Sequence, residues 1–348
     1  MPRSYGNVRA EYEAIRHGVA VIDLSPAGKL EVSGKNAVQF INGLVTNEVK
    51  NLPAGDGVQA AFLDTHGKVS ALCRIYNTGH HLLLQLDAAR REKIYKNLSR
   101  FVLAGEFFLT DVTEQQALIS LQGLQSAALI ESLTGQTISS EDSKISERTI
   151  TDTSVLIATH SRCGEPGFDL FVATASAPQL WPAIIAGGQE FGARAVGREA
   201  LEIARIEAGV PREGTDVNDT NILLEAGFDN AVSYTKGCYL GQEIIARIHW
   251  RGQPAKRLLK LAVTAAEVPP PGSDLYAGDG KKVGMITSST RSFQDDQIIA
   301  LGYVHRYYLT HETALTIKNG KAEIGTALVN NPTVTTDQSQ NTLQANPS

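Results

Sequence analysis

From residue 28 to residue 33 (GKLEVS) side chains alternate in strand fashion, and the next segment changes period, with Ala37, Phe40, Ile41 and Leu44 at helical spacing. A strand feeding an amphipathic helix is predicted. Three further β-like runs, 58–63, 69–76 and 82–86, are separated by DTHG and NTGH, each with the glycine of a short hairpin loop, and predict an antiparallel meander. Asp87 reads as the N-cap of a helix running to about Ala104, with Ile94, Leu98, Phe101 and Val102 on its apolar face and Gly105 as its stop. A strand at 107–112 follows. The segment LISLQGLQSAALIESL then repeats the plan of KLEVSGKNAVQFINGL: strand, glycine (Gly123 or Gly34), helix.

The polar stretch 139–153 reads as a surface connection, followed by a hairpin of 155–160 and 168–172 around the turn RCGEPG. Helical patterns at 179–191 and 197–208 come next, the second with Leu201, Ala204, Ile206 and Ala208 on one face and stopped by Gly209 and Pro211. Beyond Ala255 short apolar runs at 258–263, 283–287, 298–304 and 314–317, punctuated by PPPG, AGDG and KNG, predict a small β-barrel, with the break near Gly252, Gln253 and Pro254. The tail from Asn330 is polar and reads as solvated. The expected division is 1–115, a first α+β region; 116–252, a second; 253–329, the barrel; and 330–348, a disordered tail.

Composition alters this picture little. The formal charge of −5 over 348 residues gives no overall positive field to attract nucleic acid, and no uncharged apolar run reaches membrane-spanning length. The N-terminal stretch lacks the apolar core of a signal peptide. Three widely spaced cysteines, Cys73, Cys163 and Cys238, argue against a disulfide framework or a paired-cysteine metal site and point to a reducing cytosol or organelle matrix, of which the cytoplasm is the expected location.

Candidate chemistry concentrates in KGCYLGQEIIAR, residues 236–247. Gly237 and Gly241 free the backbone beside Cys238, and a helix starting near Leu240, together with Lys236, would favour the reactive thiolate. Free cysteines are more often buried filler, which is how Cys73 on a strand and Cys163 in a turn are read. His249 lies too far along that helix for a Cys–His dyad, and His66, His80 and His81 are read as solvated loop histidines without metal-ligand spacing. Glu202, Arg205 and Glu207 line the helix at 197–208, where a pairing of Glu202 with Arg205 across one turn is as good an account as a site. Asp169 follows the Gly-rich turn in a position to present a carboxylate. Arg247, His249, Trp250, Arg251, Lys256 and Arg257 interleave basic and aromatic groups as an RNA- or partner-binding surface would, although at an interdomain join such residues are more often packing and surface charge.

Together these segments resemble the YgfZ-type folate-binding proteins, relatives of the glycine-cleavage T-protein (aminomethyltransferase), from about Gly18 to Val329. The opening GVAVIDLSPAGKLEVSGKNAVQFINGLVTNEV, the turn and strand RCGEPGFDLFV and the helix ALEIARIEAGVPREGTDV carry the likeness, and KGCYLGQE (Lys236, Gly237, Cys238, Tyr239, Gly241, Gln242, Glu243) is its most specific string. The resemblance implies two interleaved ferredoxin-like α+β domains and a C-terminal β-barrel around a central folate-binding opening. It implies tetrahydrofolate, or a one-carbon derivative, as cofactor. By carry-over, Asp169 takes the place of the acidic residue that reads the N3 and 2-amino hydrogens of the pterin, and Arg205 that of the basic helix residue. Where T-proteins carry paired aspartates, this chain has Ser70, Ala71 and Leu72, and Asp64 lies upstream of the turn.

The leading expectation is therefore a tetrahydrofolate-binding protein that supports assembly or repair of iron–sulfur clusters in client enzymes, including tRNA-modifying ones, with Cys238 as its functional thiol. The alternative is a folate-dependent aminomethyl or one-carbon transferase using another carboxylate. Whether the protein turns over a substrate stays open on the residues alone.

Overall fold

The computed structural model describes residues 1–102, 106–310 and 312–329. The chain opens with a helix the apolar periodicity did not announce, α1 (Val8–His17), and strand β1 (Val19–Asp23). Next come β2 (Gly28–Ser33), α2 (Ala37–Asn42) and the expected meander, β3 (Gly57–Leu63), β4 (Val69–Asn77) and β5 (Leu82–Leu86). Helix α3 (Ala88–Ser99) is capped as predicted, the Asp87 carboxylate accepting from the Ala89 amide. It ends before Ala104, which with Gly105 lies outside the described residues. With β6 (Phe108–Asp111), these strands form an antiparallel sheet ordered β3-β4-β5-β2-β6.

The second sheet is built from β7 (Gln116–Gln122), β8 (Ile145–Ile150), β9 (Thr153–Thr159), β10 (Gly167–Ala173) and β11 (Ala193–Ala195), with α4 (Ser126–Thr134) and α5 (Ala177–Gly187) between them. Its order is β11-β1-β7-β10-β9-β8, so the first strand of the chain is built into the second sheet and the two α+β units interleave. The stretch 139–153 is thus more than a surface connection. Strand β8 pairs with β9 through a tight turn, and its middle residues are polar because it is an edge strand with water on one side. The pattern at 179–191 also divides, α5 ending at Gly187 and a short turn of 3-10 helix (Gln189–Phe191) leading into β11.

The internal repeat is real in three dimensions. Both β2 and β7 run into a glycine at positive φ, Gly34 (+104°) and Gly123 (+133°), before α2 and α4. A Cβ at either glycine would lie 2.4 Å from a carbonyl oxygen, that of Glu106 or of Gly18, so only glycine fits. Each sheet carries helices on one face. Ala37 and Ile41 of α2 and Ile94 and Leu98 of α3 pack on the first, Leu129 and Ile130 of α4 and Leu180 and Ile184 of α5 on the second. The bare faces meet through Tyr76, Leu83, Leu118, Ile145, Ala158 and Phe171. This inter-sheet layer positions the candidate site.

Two further helices, α6 (Arg198–Glu207) and α7 (Gln242–Arg251), precede the barrel. Strands β12 (Lys256–Ala265), β13 (Asp274–Tyr276), β14 (Lys282–Arg291), β15 (Ile298–His305), β16 (Ala314–Asn319) and β17 (Ala322–Val329) close it in the order β12-β15-β14-β13-β16-β17. Ile206 of α6 packs on Leu258, Ile299, Leu301 and Tyr303 of its wall. No described helix is long and apolar enough to cross a membrane.

Candidate functional site

Asp169 is fully buried, in the middle of β10, on the face turned to the first sheet. Its carboxylate is gripped by Arg162 from the preceding turn, with Nε 3.1 Å from Oδ1 and a second nitrogen on Oδ2. From β5 the Gln85 side-chain amide also donates to Oδ2, at 3.2 Å. Arg74 on β4 is the register partner of Gln85 and donates to Asp142 (3.0 Å) and to the Ser143 hydroxyl (2.9 Å). Burial and the charges of Arg74 and Arg162 hold His160 well below the usual imidazole range.

Three buried polar atoms in this layer have no hydrogen-bond partner: the Tyr76 hydroxyl, Gln85 Oε1 and His160 Nδ1, the last 4.0 Å from Asp142. A buried polar atom left unpaired costs about 1–3 kcal/mol, so a cluster of them calls for a further partner, either water or a polar ligand. A ligand presenting several donors along one planar edge fits this set, and a pterin is such a molecule.

Arg205 sits elsewhere, at the joint of α6 and the barrel. It donates to Asp216 Oδ2 (2.5 Å), the Ser288 hydroxyl (2.7 Å), the Val210 carbonyl (3.2 Å) and Glu202. Asp216 is itself buried and accepts from Thr287 (2.5 Å), Ser288 (2.7 Å) and the Arg212 amide (2.9 Å). The i,i+3 pairing with Glu202 is therefore present, inside a larger buried network, and one atom of Arg205, Nε, has no partner. Glu207 makes a parallel joint, accepting from Tyr12 (2.5 Å), Arg16 (2.6 Å), the Ser292 hydroxyl (2.8 Å) and the Phe293 amide (2.9 Å). No hydrogen bond or ion pair links Arg205 to Asp169 among the described residues.

The KGCYLGQE segment corrects one expectation. Lys236 does not face the thiol; its ammonium donates to the carbonyls of Asn42 (2.6 Å), Val45 (2.8 Å) and Asn47 (2.7 Å), locking the segment to the end of α2. Burial draws its pKa down to about 8. Helix α7 begins at Gln242 rather than near Leu240, since Gly241 adopts φ +82° and a Cβ there would meet the Asp64 carbonyl at 2.7 Å. Gln242 closes the loop by accepting from the Tyr239 amide at 3.1 Å. Tyr239 is buried, whereas Gly237, Cys238 and Glu243 are exposed. Cys73 and Cys163 are buried as expected, burial pushing the Cys163 thiol up to about 11.

Ser70 and Ala71 are buried on β4. Asp64 is spent on its turn, accepting from the amides of His66 and Lys68, both at 2.8 Å. His66 and His80 are exposed as predicted, but His81 is partly buried and stands 3.5 Å from Glu31. In the basic stretch, Arg247 and Trp250 are exposed, His249 stacks on Tyr234 at 3.7 Å, and Lys256 lies over the Tyr303 ring at 4.6 Å; the Arg251 side chain lies outside the described residues. Among the described residues no group of three or more His, Cys, Asp or Glu side chains converges as a metal site requires.

Sequence reading missed Arg162, Gln85, Tyr76, Arg74 and His160. Gln85 had a signal: a single amide inside the apolar run LLLQL has to find a buried partner.

The GCVT N-terminal domain matches residues 1–236, and the glycine cleavage T-protein C-terminal barrel domain matches residues 256–334. The chain belongs to the glycine cleavage T-protein family. It is 29% identical over 297 residues to the aminomethyltransferase of Halalkalibacterium halodurans, an alignment covering 84% of this chain and 80% of that one. With the aminomethyltransferase of Frankia alni it shares 30% identity over 309 residues, 88% of this chain and 84% of the other. Its fold matches the crystal structure of the glycine cleavage system aminomethyltransferase from Bartonella henselae with a TM-score of 0.85 at 21% identity, over 95% of this chain and 91% of that one. The two family domains fall on the α+β units and on the barrel.

Proposed function

We propose that this protein binds tetrahydrofolate in the layer between its two sheets and takes part in one-carbon transfer of the aminomethyltransferase type. The observation that carries the reading is the buried Asp169 carboxylate surrounded by the unpartnered Tyr76 hydroxyl, Gln85 Oε1 and His160 Nδ1. Asp169 would take the pterin's adjacent N–H donors on its two oxygens, an arrangement stronger than neutral hydrogen bonding because the acceptor is charged. Gln85 would orient that carboxylate through its amide and offer its free oxygen to a further donor. Phe171 and Tyr76, 6.1 Å apart, would exclude water from the ring faces. When bound, the folate supplies the amines that accept a one-carbon unit. Titration of the full chain with tetrahydrofolate tests the reading; saturable binding that weakens in Asp169→Ala is expected, and no saturable binding by the wild type would overturn it.

A second reading rests on the exposed Cys238 and on Ser70 and Ala71 at the place of the T-protein aspartates. Here the protein is of the YgfZ type, a cytoplasmic folate-binding protein that supports iron–sulfur clients, tRNA-modifying enzymes among them. Product formation from a protein-bound aminomethyl donor favours the first reading. Loss of client maturation in Cys238→Ala, with no turnover in the wild type, favours the second.

A further inference from the structure

On β4, a carboxylate from outside the strand stands beside Leu72. Both side-chain oxygens of Glu213, which lies in the loop after α6, accept from the Leu72 amide, at 3.1 and 3.2 Å. That amide is free because β5 stops at Leu86, opposite Cys73, one residue short of Leu72. Arg74, the register partner of Gln85, is two residues further along the strand, about 7 Å at the usual strand rise. Glu213 therefore stands one strand repeat from the row that holds Asp169, a span comparable to the length of a fused two-ring heterocycle.

The neighbouring acids are already committed. Asp64 closes its turn and Asp87 caps α3, while Ser70, Ala71 and Leu72 carry no charge. We infer that Glu213 supplies the carboxylate at the reacting end of this site, exchanging a proton with the amine of the one-carbon donor. The inference rests on the folate reading above. The step is a proton transfer alone: R–NH3+ and the Glu213 carboxylate give R–NH2 and the Glu213 carboxylic acid, and the reverse returns the proton. No bond to carbon changes, and no oxidant or reductant enters.

The groups facing Glu213 suit this role. Arg90 on α3 lies 3.3 Å away and favours the anion, as does the Leu72 amide; burial and Asp87 oppose it. Cys73, behind it on β4, is buried and held as a neutral thiol. The balance, dominated by burial, raises the Glu213 pKa to about 7, where an acid–base group works best at neutral pH.

Glu213→Gln separates a chemical from a structural role, since its amide oxygen can still accept from Leu72. The full chain and this variant are titrated with tetrahydrofolate, followed by infrared spectroscopy across neutral pH, and assayed for transfer from a protein-bound aminomethyl donor. The expected result is a carbonyl band of the neutral acid that titrates near neutrality in the wild type and is absent from the variant. Transfer should fall on the order of 100-fold or more, its pH inflection lost. Tetrahydrofolate affinity should change by less than about threefold, since the lost interaction is made only during reaction. Unchanged transfer, an unchanged infrared titration, or folate affinity lost in step with transfer would overturn the inference. Wild type that binds tetrahydrofolate yet yields no product at any pH overturns it while sparing the binding reading; wild type that does not bind tetrahydrofolate overturns both.

Discussion

The guanidinium of Arg162 spans both carboxylate oxygens of Asp169, from a turn whose side chain keeps 22% of its surface exposed while Asp169 keeps none. Two parallel N–H donors on a planar carbon frame are also what the pyrimidine edge of a pterin presents. On the proposed folate reading, Arg162 occupies the donors' place in the free protein, and ligand entry would require it to swing outward. Removing one partner of a buried pair costs about 3–5 kcal/mol. Arg162→Ala should therefore lower the thermal midpoint of the free protein, and tetrahydrofolate should raise that midpoint by more than it does in the wild type. A smaller ligand shift in the variant would show that Arg162 helps to hold the ligand instead.

Arg205 makes a different prediction. Its guanidinium bridges α6, Asp216 and Ser288 of the barrel, so Arg205→Ala leaves the Asp216 carboxylate buried beside an empty position. Urea unfolding should show a loss of about 3–5 kcal/mol. Arg205→Ala together with Asp216→Asn should recover part of it, and any weakening of folate binding should follow that stability. Normal stability with folate binding lost would place Arg205 at the ligand.

Glu213 ties stability to pH. Burial raises its pKa from the ordinary 4.5 to about 7 in the folded chain, so between these values the folded state holds a proton that the unfolded state has released. This contribution is full below about pH 4.5 and is lost as pH rises through about 7. At full extent it amounts to about 3 kcal/mol, because each tenfold change in proton affinity is worth about 1.4 kcal/mol. The urea midpoints of wild type and Glu213→Gln, compared near pH 5 and pH 8, should show the wild type losing more on going to the higher pH. Parallel changes in the two proteins would remove Glu213 as the cause.

Exposure separates the thiols. Under native conditions at neutral pH, an alkylating reagent should modify Cys238 alone; Cys73 and Cys163 should react only after denaturation, which intact-mass measurement resolves. Fast native labelling of Cys163 would mean that the turn carrying Arg162 opens readily.

The strands and hairpins of the first sheet, the Asp87 cap, the repeated strand–glycine–helix plan and the barrel were legible because local pattern and turn chemistry specify them. Helix α1 was not legible in the same way. Its side chains are mixed in charge, and one acid, Glu11, is buried to accept from Ser4, the Tyr5 amide and the distant Gly197 amide. Lys236 misled for a related reason. Proximity to Cys238 in sequence suggested a shared charge, whereas the three carbonyls that hold it lie about 190 positions away. Asp169 could be singled out from its turn, but its partner Gln85 comes from the other sheet, and only the packing of the two sheets brings it there.

Glu207 has a consequence for how the chain is made. Its partners Tyr12 and Arg16 leave the ribosome early, whereas Ser292 and Phe293 belong to the loop that follows β14. From its own emergence until that loop follows, 85 residues later, this acid has only half of these partners, and the joint of α1, α6 and the barrel stays open. Nascent chains arrested before Ser292 should be cut by protease around α6, and those arrested after β15 has cleared the exit tunnel should resist, since closing so distant a contact is among the last events of folding.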